Sequence, residues 1–253
     1  MNEAKSTEPI HEVVATPKRN EIVGDAGYAF GSEMSRLQRT AYMTLWYPFV
    51  ILAKLYFRFE VHGSHNLPPS GAFILSPVHR SYLDTPVLTL INRRVFRFMG
   101  KESLWSNSVG AWFLSMMGGF PVQRGTADRS AINAAQTILE RGEPLVMFPE
   151  GTRREGPLIL AENMNDGPSF VAGRMQVPIV PIGIGGSDKI MPKGKKFVYP
   201  RKLVFVIGEP LAPPEQIRGR VPRRLVREHA TVLREKIQGC YDQAQTRASI
   251  RHR

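Results

Sequence analysis

The sequence has a single cysteine, Cys240, among its 253 residues. It cannot close an internal disulfide, has no companion thiol for a metal site, and fits a reducing compartment. There is no Gly-x-Ser-x-Gly elbow to present a nucleophilic serine, so an acyl-enzyme route has no evident nucleophile. Residues 1–31 are polar and lack the basic-then-apolar order of a secretory signal; they read as a flexible leader. No uncharged apolar run reaches the ~18 residues that mark a membrane-crossing helix. The nearest, Ala41 to Phe57, is broken by Pro48 and Lys54. Acidic residues are also scarce, 22 against 34 Lys and Arg, giving a net charge of +12. That balance favours an acidic partner such as anionic lipid or a phosphorylated substrate. Nucleic acid is not expected, because no nucleic-acid-binding motif is present.

What is present is enough apolar sequence, 42% of residues, for one substantial core. Residues 32–58 read as helical. Arg36, Arg39, Lys54 and Arg58 flank the apolar body, and Trp46, Tyr47 and Tyr56 suit the headgroup level, so a helix lying in a membrane interface is expected. A buried helix capping the core is the other reading. From residue 59 to 253, short β-rich runs alternate with helical patterns, which predicts a single α/β domain with a central, mostly buried sheet flanked by helices. The predicted strands are Phe57–His62, Ala72–Ser76, Val95–Met99, Gly119–Val122, Leu145–Phe148, Ile179–Ile184 and Leu203–Ile207. Ala131, Ala134, Ala135, Ile138 and Leu139 share one helical face that ends at Arg141-Gly142. A C-terminal amphipathic helix over about 222–248 carries Leu225, Val226, His229, Val232, Leu233 and Ile237 on its apolar stripe.

Four short segments carry chemistry. In Ser76-Pro77-Val78-His79-Arg80-Ser81-Tyr82-Leu83-Asp84 a histidine and an aspartate stand at a strand-to-helix junction. The carboxylate can fix one imidazole nitrogen and leave the other as a general base, although an Asp at this spacing also fits a simple helix cap. In Gly118-Gly119-Phe120-Pro121-Val122-Gln123-Arg124-Gly125, Arg124 closes a strand where its fork can grip a phosphate. Phe148-Pro149-Glu150-Gly151-Thr152-Arg153 gathers a carboxylate, a hydroxyl and a guanidinium after another strand. The fourth, Val177-Pro178-Ile179-Val180-Pro181, is stiff and apolar and reads as a buried strand.

Taken in order, these blocks resemble the glycerolphosphate and lysophosphatidic acid acyltransferase family, in particular its bacterial 1-acylglycerol-3-phosphate O-acyltransferases, over about residues 57–210. The resemblance implies direct transfer of a fatty acyl group from a thioester donor, acyl-CoA or acyl carrier protein, to a hydroxyl of lysophosphatidic acid. His79 would be the general base and Asp84 its orienting partner. Arg124, Glu150, Gly151, Thr152 and Arg153 would hold the acceptor's phosphate, while Ser81, Pro178 and Pro181 would shape the acyl or acceptor site. Backbone amides near His79 or in the Arg80-Ser81 turn are candidate oxyanion donors. No cofactor and no metal are expected, and the site of action would be the cytoplasmic face of the cell membrane, as a peripheral or monotopic protein. The chain departs from the family pattern at Val78, where an Asn is common, and at Asn163-Met164-Asn165-Asp166-Gly167, where a basic stretch is common. The motifs specify the reaction better than the acceptor: another lysolipid or a glycolipid also fits. A non-catalytic basic membrane-binding module would leave the His79–Asp84 pair and the 150–153 cluster unexplained.

Overall fold

The computed structural model describes residues 36–122, 129–191 and 197–250. The 1–31 leader, Arg124 and the basic residues Lys193, Lys195 and Lys196 lie outside them. Seven strands form one sheet: β1 (Glu60–His62), β2 (Ile74–Pro77), β3 (Arg97–Lys101), β4 (Gly119–Val122), β5 (Leu145–Val146), β6 (Ile179–Gly185) and β7 (Val204–Ile207). Their order across the sheet is β1-β7-β6-β2-β5-β3-β4, every neighbouring pair parallel except β6 with β7. Each predicted strand is present within a few residues. Parallel strands need both faces covered, and β2, β5 and β6 are buried along their whole length.

The covering helices follow from their patterns. Helix α4 (Arg129–Glu140) buries Ala134, Ala135, Ile138 and Leu139, and Gly142, at φ 75°, ends it in the left-handed conformation that favours glycine. After α5 (Gly167–Met175) and the short α6 (Ser187–Ile190), helix α7 (Arg223–Ser249) buries Val226, Ala230, Leu233, Ile237, Cys240, Tyr241 and Ala244. Val232, expected on that stripe, is instead largely exposed, because two residues past Ala230 falls off a face spaced three and four apart. The seat of α7 on β6 is unusually close. A Cβ on Gly183 or Gly185 would sit 2.2 Å from backbone atoms of Cys240 or Ala244, so only glycine fits either place. Pro181, in the middle of β6, costs no sheet bond. Its carbonyl and its missing donor face the β7 side, in the gap between the Ile179–Leu211 bridge and the start of β7 pairing.

Helix α1 (Arg36–Phe57) is continuous through Pro48, and no described helix is long and apolar enough to cross a membrane. One face docks: Tyr42 and Ala53 are buried, and Trp46 donates its indole N–H to the Thr89 carbonyl at 2.7 Å. Trp46 is therefore turned inward rather than toward headgroups. The opposite face leaves Leu45, Ile51, Leu52 and Leu55 more than half exposed.

His229 ties α7 to the rest of the fold, accepting from Ser169 Oγ at 2.9 Å and donating to the Ala212 carbonyl at 3.0 Å. Burial pushes its pKa below the ordinary 6.5. The folded state thus keeps the imidazole neutral while the unfolded chain protonates it near 6.5. The resulting stability is complete above that pH and declines as pH falls from it toward the folded value. Urea unfolding at pH 7.5 and pH 5.5 should show a loss in the wild type that is smaller in His229→Gln.

Candidate active site

The chemistry gathers at the carboxyl ends of β2 and β5, where ligand sites in open α/β sheets are found. The chain leaves β2 through Val78 into the His79 turn and enters the short helix α2 (Asp84–Val87). Asp84, at the start of that helix, is completely buried and turns its side chain back. Its Oδ2 accepts from His79 Nδ1 at 3.0 Å and from the amides of Arg80 and Ser81 at 2.6 and 2.7 Å. A carboxylate can only accept, so Nδ1 carries the proton and Nε2 presents its lone pair. Nε2 has no hydrogen-bond partner among the described residues. The imidazole stacks on Phe148, centroids 4.1 Å apart, and the side chain keeps 15% of its surface accessible. The structure thus has the arrangement in which Asp84 fixes the tautomer and more than caps a helix.

The backbone of His79 is held as firmly as its ring. Its amide donates to Glu150 Oε2 at 2.8 Å, and its carbonyl accepts from the Arg154 amide at 3.0 Å. Glu150 is in turn paired with Arg80, Nη1 lying 2.6 Å from Oε1 and 2.8 Å from Oε2, both side chains essentially inaccessible. Arg80 also donates to the carbonyls of Gly156 and Leu158 and lies over the ring of Tyr241 in α7. The 150–160 loop is fastened to α7 again where Ile159 donates to Gln238 and Gln238 donates to Pro157. Asn165 closes the other side. Its side-chain and main-chain N–H groups both donate to the Pro149 carbonyl, supporting the turn in which Gly151 adopts φ 63°.

His79 lines a cavity of about 660 Å³ together with Tyr82, Thr85, Pro86, Thr89, Phe98, Met99, Gly100, Leu104, Trp105, Phe113, Leu114, Met117, Gly119, Thr152 and Arg153. Its walls come from β3, β4 and helix α3 (Ser108–Met116) and are mainly apolar, the character of a site for a hydrocarbon chain. Arg153 has its guanidinium 3.1 Å from the centroid of Tyr82 and no carboxylate partner among the described residues, a cation left available at the cavity wall.

Several expectations change place. Glu150 does not line the cavity; both its oxygens are engaged by the Arg80 and His79 N–H groups, where it holds the histidine loop instead of a phosphate. The Arg80 and Ser81 amides are spent on Asp84, and so are not oxyanion donors. Ser81 is buried with its Oγ accepting from the Leu83 amide. Pro178 and Pro181 lie behind the cavity in β6 and its approach, Pro181 against Gly208 beneath α7. Arg124 lies outside the described residues. Arg80, Phe148, Asn165 and Tyr82 were not identified from sequence. Arg80, Tyr82 and Phe148 lie within the motif segments, which was the signal available. Cys240 is buried and its thiol is pushed up to about 11, so it is protonated at neutral pH and no nucleophile. Among the described residues no group of three or more His, Cys, Asp and Glu converges on a metal position.

An imidazole oriented by a buried carboxylate thus stands on a mainly apolar cleft. A family model described as Acyltransferase matches residues 58–185, just over half of the chain, and the chain belongs to that family. It is 31% identical over 160 residues to the chloroplastic 1-acyl-sn-glycerol-3-phosphate acyltransferase BAT2 of Brassica napus, covering 60% of this chain and 44% of that protein. It is 29% identical over 153 residues to the 1-acyl-sn-glycerol-3-phosphate acyltransferase of Bacillus subtilis (strain 168), 60% of this chain and 73% of that one. The chain thus spans less than half the length of its chloroplast relative. The fold matches the crystal structure of the 1-acyl-sn-glycerophosphate (LPA) acyltransferase PlsC from Thermotoga maritima, with a TM-score of 0.66 and 22% identity over 87% of this chain and 86% of that one.

Removing one partner of a buried ion pair leaves the other charge uncompensated, at a cost of about 3–5 kcal/mol. Glu150→Ala should therefore lower the urea-derived unfolding free energy by about that much. Glu150→Gln, which can still accept from the His79 amide, should lose less.

Proposed function

We propose that the protein transfers a fatty acyl chain from a thioester donor to a free hydroxyl of lysophosphatidic acid, forming phosphatidic acid. The observation that carries this reading is the imidazole of His79, its Nδ1 held by buried Asp84 and its Nε2 without a partner among the described residues, on a mainly apolar cavity whose wall also bears Arg153, which has no carboxylate partner among those residues. The acceptor hydroxyl gives its proton to Nε2 as its oxygen attacks the thioester carbonyl. The tetrahedral intermediate then expels the thiolate, which recovers that proton from the imidazolium stabilised by Asp84. The amides of Thr152 and Arg153 make no hydrogen bond among the described residues and belong to the same cavity wall, which supports them as oxyanion donors. Arg153, with Arg124, grips the acceptor's phosphate, and the acyl chain lies among Phe98, Met99, Trp105 and Phe113. Glu150 and Arg80 act as positioning residues. The reaction needs no cofactor, because the thioester itself is the activated group.

The outward face of α1, together with Trp112 and Phe113 of α3, both about half exposed, supports seating on a membrane surface from which the lipid acceptor is drawn. Because α1 is anchored through Tyr42, Trp46 and Ala53, substitutions on its outward face test this better than removing the helix.

Purified protein incubated with labelled palmitoyl-CoA and lysophosphatidic acid should form phosphatidic acid and free CoA in equal amounts. His79→Ala should slow this by about 10²–10⁴-fold or more, the usual contribution of a general base. Thioester loss without lipid product would reject this acceptor. Arg153→Ala should raise KM for lysophosphatidic acid far more than for monoacylglycerol, which lacks the phosphate. Leu52→Ser with Leu55→Ser should weaken sedimentation with anionic vesicles by at least about tenfold, since one fully buried leucine contributes about 1.5–3 kcal/mol and about 1.4 kcal/mol is already a factor of ten; unchanged sedimentation would refute the docking face.

A further inference from the structure

Between His79 and Asp84 every residue but one is committed to holding the turn. Arg80 is locked in its pair with Glu150, Ser81 is buried with its Oγ accepting from the Leu83 amide at 3.3 Å, and Leu83 packs against the core. Tyr82 is the exception. It is 61% exposed, and its phenol makes no hydrogen bond with any described residue. The hydrogen bonds that shape the turn run through Asp84 and Ser81 and ask nothing of the side chain at 82. What the ring touches is Arg153, whose guanidinium carbon lies 3.1 Å from its centroid.

Arg153 belongs to the other loop. Its backbone is held, since the next residue, Arg154, donates its amide to the His79 carbonyl at 3.0 Å. Its side chain is not. The guanidinium forms no hydrogen bond or ion pair with any described residue, and an arginine left so carries enough rotamer freedom to wander over much of a cavity wall. The Tyr82 ring removes that freedom. At 3.1 Å the planar cation has to lie almost flat on the ring, because an N–H turned toward the ring from so close would overlap it. Laid flat, it rests one face on the ring and keeps its five donors, which lie in its own plane, directed outward. Those are the donors that grip a phosphate as a fork.

The place of the ring makes this more than a local contact. Tyr82, Arg153 and His79 line one cavity. Tyr82 stands three residues after His79, in a turn whose Arg80 and Ser81 amides converge on the same Asp84 oxygen that accepts from the imidazole. One buried carboxylate therefore sets both the imidazole and the platform on which the cation rests.

We propose that Tyr82 is a positioning residue for the acceptor: its ring holds the Arg153 guanidinium in the orientation that takes the phosphate of lysophosphatidic acid while the hydroxyl lies at His79. This rests on the acyl-transfer reading and adds to it the residue that sets the preference for a phosphorylated acceptor. An exposed tyrosine can also anchor a protein at the headgroup level of a bilayer, a use that predicts a different outcome below.

The test uses the full chain, palmitoyl-CoA, a lysophosphatidic acid whose chain is short enough to stay dispersed, and a double-mutant cycle between Tyr82→Leu and Arg153→Ala. With Arg153 present, Tyr82→Leu should raise KM for the acceptor by about three- to thirtyfold, the span of cation–π contacts from exposed to desolvated sites, with a much smaller change in kcat. In the Arg153→Ala background it should add nothing. Tyr82→Phe, which keeps the ring and loses only the phenol, should recover most of the loss. Additive losses, or a Tyr82→Phe variant as impaired as Tyr82→Leu, would overturn the proposal. So would a Tyr82→Leu variant with unchanged KM and weaker sedimentation with phosphatidylglycerol vesicles, which would assign the ring to the bilayer. The two readings fail distinguishably. Wild type that forms no phosphatidic acid rejects the acyl-transfer reading and this role with it, whereas product formed with an unaltered KM in Tyr82→Leu rejects the positioning role alone.

Discussion

The buried pair between Arg80 and Glu150 is the constraint on which the site's geometry depends. Two loops that leave neighbouring strands, one bearing the histidine and the other the Thr152–Arg153 wall, have no sheet hydrogen bonds to keep them in register. The ion pair supplies that register at a point shielded from water, where its attraction is least screened. From Arg80 the restraint spreads to the Gly156 and Leu158 carbonyls and the Tyr241 ring, and from Glu150 to the His79 amide. Desolvating both charges is costly, so this pair is better understood as specifying one loop arrangement than as a store of stability.

Around that fixed point the roles divide by environment. Asp84 concentrates three donors on a single oxygen, and its other oxygen, Oδ1, is buried without a hydrogen-bond partner among the described residues. Glu150, equally buried, spends both oxygens on structure. Two acidic residues that look interchangeable in the motifs are thus separated by what their loops present to them, one orienting the His79 imidazole and the other the backbone that carries it.

The sheet was legible because β-branched and aromatic runs between turn residues mark buried strands whatever their partners, and all seven emerged. Their order was not, since nothing in Leu203–Ile207 says that it pairs antiparallel with β6 and parallel with β1. The five-residue spacing of His79 and Asp84 fits a helix cap as well as a pair, and only the order of the four motifs singled the two out together. The assignments that moved were those depending on the direction of a side chain. Glu150 shares a motif with Arg153 yet faces inward, because only there does Arg80 meet it. Pro181 belongs to a motif yet lies on the face covered by α7, through contacts with residues distant in sequence. The outer face of α1 was readable as apolar, whereas the inward turn of Trp46 required knowing where Thr89 would lie.

The close seat of α7 on Gly183 and Gly185 also bears on the order in which the site becomes complete. Chains fold from the N-terminus as they are made, and α7 follows every other described element. Until it emerges, the 150–160 loop lacks Tyr241, Gln238 and Arg234, and the Arg80–Glu150 pair remains open to water on that side. His79 is synthesised early but acquires its rigid surroundings last, so a nascent chain already bearing every motif residue has not yet enclosed the loop that carries it.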